Sequence, residues 1–137
     1  MKATASRRIN APPDRVSEVM FDPLRDPEWI GGAKTVDPPA GDPTTIGART
    51  TRHGGFLGRK FSWTTEVAAH EPEQLLVMNF IAGPMKGGGV TYRIEPERGG
   101  GSRVTVRNAG PWPQLMGWFV KRSVGKDLDR LAKLVEG

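Results

Sequence analysis

The chain has 137 residues, 36% of them apolar and 26% charged, which are the proportions of a globular protein and not of a disordered one. It contains no cysteine, so disulfides, thiolate catalysis and Cys-ligated zinc are all excluded. The net charge of +5 is spread evenly: residues 1–70 carry ten Lys/Arg against eight Asp/Glu, and residues 71–137 carry ten against seven. Basic residues adjoin only at Arg7-Arg8, Arg59-Lys60 and Lys121-Arg122, with no RNP-like, helix-turn-helix or zinc-finger pattern, so nucleic acid is not an expected partner. No apolar leader and no membrane-length window is present, which predicts one cytoplasmic domain spanning residues 1–137.

In chain order, residues 3–10 read as a strand, and the prolines of Ala11-Pro12-Pro13 fall in the first turn of a helix, where a missing N–H costs little. Val16, Val19 and Met20 give that helix one apolar side as far as Phe21, and Asp22-Pro23 ends it. Pro23 to Trp29 reads as a second short helix, broken by Pro27 and ended by Gly31-Gly32; Asp37 to Asp42 is a turn. Ile46 to His53 reads as a strand with indistinct alternation, and Gly54-Gly55 and Gly58 bracket a loop carrying Phe56 and Leu57.

Strands follow over Arg59–Ala69 and Gln74–Ala82, joined at His70-Glu71-Pro72-Glu73, which leaves His70 exposed. Phe61, Trp63, Thr65, Val67 and Ala69 alternate with Ser62, Thr64, Glu66 and Ala68; Leu76, Met78 and Phe80 share one face, and Val77 and Ile81 suggest cover on the other. After a glycine-rich connection at Gly83–Gly89, a hairpin carries Val90, Tyr92 and Ile94, turns at Glu97–Gly101, and returns through Val104, Val106 and Asn108. Pro111-Trp112-Pro113 opens a long helix whose stripe is Met116, Val120, Val124, Leu128, Leu131 and Val135. Gly117 and Gly125 sit inside it, reserved either for close packing or for room beneath the helix. The order of strand, two short helices, strands and long helix is α+β, with helices gathered on one side of an antiparallel sheet.

A sheet wet on one face must bury the other, and only the last helix is long enough to cover it. Aromatic and polar groups then point into the space between them. Trp63, Thr65, Tyr92 and Asn108 put polar atoms on that apolar face, either to orient a ligand or to satisfy one another inside a core. No Asp or Glu falls on the inward rows that can be assigned, so no strong base is visible. Arg52 and Arg59 lie near the edge of this space, facing it or facing water. His53 and His70 are the only histidines and lack the acidic neighbours of a metal set. No nucleophile elbow, P-loop or dinucleotide fingerprint occurs.

The run Ser6-Arg7-Arg8-Ile9-Asn10-Ala11-Pro12-Pro13-Asp14-Arg15-Val16, then Asp22-Pro23, Trp29, Gly47, Gly58-Arg59, Trp63, the Pro72 turn, the Gly83-Pro84 loop and the single C-terminal helix resemble the START-like (Bet v 1-like, SRPBCC) superfamily. Within it, the chain is similar to the polyketide cyclase/dehydrase and lipid-transport subgroup. The resemblance implies a helix-grip fold: a curved seven-stranded antiparallel sheet around the long C-terminal helix, with two short helices after the first strand. It also implies a hydrophobic cavity entered near Gly83–Gly89 and Trp112; no cofactor is expected.

Three functions follow as expectations. The first is a binder or carrier of a hydrophobic small molecule such as a lipid, quinone or polyketide-like compound. Phe21, Trp29, Phe61, Trp63, Phe80, Tyr92, Trp112, Met116 and Val120 would line its cavity, with Thr65 and Asn108 orienting the ligand. The second is a cyclase/aromatase-type enzyme, in which a shaped pocket folds the substrate and Tyr92 acts as the acid. The third is a protein-interaction or regulatory module. Trp118, on the polar side of the last helix with Leu115 and Phe119 beside it, would form a lip that touches a membrane or a partner.

Overall fold

A computed structural model describes residues 1–56 and 58–137, so the Leu57 part of the expected glycine loop lies outside the described residues. β1 (Lys2–Ile9) is followed by α1 (Pro13–Met20), a 3₁₀ turn (Pro23–Arg25) and α2 (Asp26–Trp29). Then come β2 (Ala33–Val36), β3 (Arg49–Phe56), β4 (Arg59–Glu71), β5 (Leu75–Ala82), β6 (Gly89–Pro96) and β7 (Ser102–Ala109). A 3₁₀ turn at Gln114–Met116 leads into α3 (Gly117–Glu136). The seven strands form one antiparallel sheet in the order β1-β7-β6-β5-β4-β3-β2. The two edges are thus consecutive in sequence, and α1 and α2 carry the chain from one edge to the other. α3 packs along β1 and against both short helices, which completes the helix-grip architecture.

Local chemistry accounts for these elements. Pro12 caps α1 in an extended conformation and Pro13 occupies its first turn, while Val16, Val19 and Met20 are buried as their spacing predicts. Asp22 accepts the Leu24 N–H and starts the 3₁₀ turn. Pro27 lies in the first turn of α2 and opens that helix instead of breaking the preceding one. β2 escaped the sequence reading because Ala33–Val36 has four residues and shows too little alternation to register. It pairs with β3 where two glycines meet: a Cβ on Gly54 would lie 1.8 Å from the Gly32 carbonyl oxygen.

The core is one cluster that includes Ile9, Val16, Met20, Trp29, Ile94, Val104, Leu128, Leu131 and Val135, all essentially inaccessible to water. It fills the end of the grip where α1 and the second half of α3 meet the sheet. Two irregularities correct the expected rows. A β-bulge between Val67 and Ala69 turns Ala69 outward and His70 inward, where His70 is half-buried edge-on to Phe21 at 6.0 Å. β5 is covered on one face only, since Asn79 is exposed and Val77 and Ile81 remain half-exposed.

Candidate functional site

Between the sheet and the first half of α3 the core opens into a cavity of about 130 Å³. Six of the eleven expected ligand-site residues line it: Trp29, Trp63, Thr65, Phe80, Tyr92 and Asn108. Register explains their convergence. Thr65 pairs with Phe80, Tyr92 with Val106, and Asn108 with Val90, so one face of four adjacent strands supplies the floor. Trp29 comes from α2 and meets Tyr92 edge to face at 5.7 Å, and Val124 closes the cavity from α3.

The other expected lining residues sit elsewhere. Phe21 stacks behind Tyr92 at 6.4 Å, and Phe61 packs on Trp63 at 5.5 Å without reaching the cavity wall. Trp112 folds over Gly110 beside Met85, and its buried indole N–H has no partner. Met116 and Val120 are half-buried and stand ahead of the turn that reaches the cavity. The reason is that α3 begins only at Gly117, after the 3₁₀ turn, so Val124 and not the residues before it meets the sheet at this level.

The sequence reading missed the charged groups. Arg52 is 4% exposed and lines the cavity; its Nε donates to Asp26 Oδ2 at 2.5 Å and its Nη1 to Thr65 Oγ1 at 2.6 Å. Its third contact is a long approach of Nη2 to Met78 Sδ at 3.9 Å, so N–H groups remain without a partner. Asp26 is 1% exposed, and burial raises its carboxyl above the usual range while Arg52 opposes that rise. Asp127, from α3, also lines the cavity. Its Oδ1 accepts the Gly31 N–H at 3.0 Å and Arg130 Nη1 at 2.8 Å, and burial pushes its carboxyl up to about 6. The expectation that no acid faces inward is therefore corrected, as is the choice left open for Arg52; Arg59 is exposed.

Signals for two of these groups did exist. A hairpin closing between Phe56 and Arg59 sets Arg52 opposite Trp63, on the face of Trp63. Asp127 follows Val124 by three and precedes Leu131 by four, which keeps it on the buried side of α3. Asp26 had no such signal, because four residues of α2 show no period.

One more donor belongs to the site. Tyr92 is buried, which raises its phenol far above its ordinary value and keeps the hydroxyl protonated, and among the described residues its oxygen makes no hydrogen bond. The indole N–H groups of Trp29 and Trp112 are buried without an acceptor, an arrangement that costs roughly 1–3 kcal/mol each. His53 lies on the outer face between Ser62 and Asp37, away from the cavity. Among the described residues no group of three or more metal-ligating side chains converges, and no helix is long and apolar enough to cross a membrane.

A curled seven-stranded sheet gripping one long helix over a partly polar cavity defines the Bet v 1-like, or START-like, class of proteins. Over residues 1–136 the chain matches, and belongs to, the family described as polyketide cyclase/dehydrase and lipid transport. Solved structures agree on the fold. The chain is similar to the ZhuI aromatase/cyclase of Streptomyces sp. R1128, at 15% identity and a TM-score of 0.81 over 99% of this chain and 93% of that one. It is also similar to protein CV1439 of Chromobacterium violaceum, at 19% identity and a TM-score of 0.78, with coverage of 99% and 97%. Likeness to Ara h 8.0201 is of the same kind, at 13% identity and a TM-score of 0.73 over 98% and 97% of the two chains. No curated protein matches the sequence.

Proposed function

We propose that this protein binds a hydrophobic small molecule in the cavity between its sheet and α3. The observation that carries this reading is the combination of aromatic walls with polar groups that lack internal partners, the Tyr92 hydroxyl and the remaining N–H groups of Arg52. A core built only for stability fills its voids and pairs its polar atoms. Family membership supports a ligand-binding fold of this type. Titration with ethylbenzene, followed through tryptophan fluorescence, is expected to saturate. Trp63→Ala should weaken it about tenfold or more, because roughly 1.4 kcal/mol of wall contact corresponds to that factor. Arg103→Ala, on the outer face, should leave it unchanged; equal losses from both variants would refute the reading.

A second reading is favoured by the charged cluster. Arg52 and Tyr92 are placed to polarise a carbonyl, and Asp127, with its carboxyl near 6, is suited to move a proton near neutral pH. Cyclase or dehydratase chemistry on a polyketide-like carbonyl compound would use these groups. On such a substrate Tyr92→Phe is expected to slow turnover about 10²-fold. Unchanged turnover would remove Tyr92 from that role.

Away from the cavity, the 3₁₀ turn at Gln114–Met116 and the first turn of α3 support a contact with an anionic membrane surface. Leu115 is 89% and Trp118 62% exposed, Phe119 lies between Trp118 and Phe56, and Arg122 stacks 5.7 Å above the Trp118 ring.

A further inference from the structure

We infer that the guest of this cavity is a neutral, single-ring compound bearing a carbonyl oxygen, and not a long-chain acid or a multi-ring polyketide. The inference rests on the binding reading above and narrows it by volume, shape, charge and hydrogen-bond sense.

Volume comes first. At about 130 Å³ the cavity is close to the size at which a protein core takes up benzene, about 150 Å³. Pockets for drug-sized ligands run about 300–1,000 Å³, so a fused polycycle or an extended acyl chain exceeds the space. The shape agrees, since Trp29, Trp63, Phe80 and Tyr92 offer flat walls to a flat ring.

Charge decides between a neutral guest and an acid. Arg52 is the cation of the lining, and Asp26 already neutralises it. Asp127 is the anion of the lining, and its partner Arg130 stands half-exposed at the outside of α3. The cluster of Arg52, Asp26, Asp127 and Arg130 sums to zero, so a carboxylate entering it would lose its hydration without gaining an uncompensated cation. A neutral group suffers no such loss.

Hydrogen-bond sense then selects the functional group. The Tyr92 hydroxyl makes no hydrogen bond among the described residues, and Arg52 keeps N–H groups in reserve. Thr65 Oγ1 already accepts from Arg52, which leaves its proton to donate. Around Arg52, Thr65 and Tyr92 the lining offers donors, and a group seated beside them must accept. A carbonyl oxygen, with two lone pairs and no charge, meets that demand.

The test is a set of titrations of the full chain, followed by two-dimensional NMR at the tryptophan indole N–H signals. Acetophenone should shift them saturably. Benzoate, of similar size but charged, should bind at least tenfold more weakly, and dodecanoate and 1-acetylpyrene should not bind in the cavity. Tyr92→Phe should weaken acetophenone about tenfold while leaving ethylbenzene, its analogue with CH2 in place of the carbonyl, unchanged; equal loss of both would overturn the carbonyl assignment. Tighter binding of dodecanoate or 1-acetylpyrene would overturn the size argument, and tighter binding of benzoate the charge argument, with the cavity still a ligand site in either case. Failure of every compound, ethylbenzene included, would overturn both this inference and the binding reading beneath it.

Discussion

Arg52 stands where the sheet would otherwise bury an apolar side chain, and its neighbours make that position tenable. Taking a guanidinium out of water costs several kcal/mol, which the contacts to Asp26 and Thr65 offset. The same burial acts on the carboxyls. Asp127 titrates near 6 in the folded chain but near 3.8 when unfolded, so the folded state binds its proton more tightly. Its stabilising contribution is therefore fully present below pH 3.8 and is lost as pH rises through about 6. Asp26 shifts in the same direction. Urea denaturation should show stability falling between pH 4 and pH 7. Asp127→Asn should flatten that fall by on the order of 2 kcal/mol, while its amide oxygen still accepts the Gly31 N–H. An unchanged pH profile would mean that Asp127 is not desolvated.

α3 shows how an element can be legible in outline and opaque in detail. Its stripe of Val124, Leu128, Leu131 and Val135 follows from three- and four-residue spacing, and three of these four are fully buried. Asp127 sits within that stripe, yet charge alone suggests a solvated position, because spacing gives a face and not the partners waiting on it. The two helix glycines divide likewise. A Cβ on Gly117 would touch Met1 Cε at 3.0 Å, which is close packing, whereas one on Gly125 would meet nothing within 4 Å. Gly125→Ala is expected to stabilise the protein by about 1 kcal/mol, read as a higher midpoint in urea with unchanged slope. A lower midpoint would show that the backbone there needs glycine. On the strands, alternation identified the inward residues of β6 and β7, while the β4 bulge reversed Ala69 and His70, which no local pattern announces.

At the scale of the molecule, burial is concentrated at one end of the grip and exposed aromatic surface at the other. The core fills the region around α1 and the end of α3, while Leu115, Trp118, Phe119 and Phe56 gather at the start of α3. With Lys121 and Arg122 beside them, these side chains suit a surface that is apolar below and anionic above. The protein should co-sediment with vesicles containing phosphatidylserine, less so at high salt, and Trp118→Asp should abolish that association. Equal sedimentation of both forms would dispose of the membrane contact.

Periodicity, proline placement and glycine punctuation determined an α+β outline with helices on one side of an antiparallel sheet, because each reports a local constraint on the backbone or on which side of an element is oily; the helix-grip arrangement itself was implied by the family resemblance. Arg52, Asp26 and Asp127, on β3, α2 and α3, are drawn into one buried cluster only when the strands pair in register and both helices cross the sheet. The buried charge of Arg52 is tolerated only beside its counter-charge Asp26, and their separation of 26 residues along the chain hides that pairing from any reading of neighbours in sequence. The cavity is likewise a product of tertiary packing: it is the volume that α3 and Trp29 leave unfilled above the sheet.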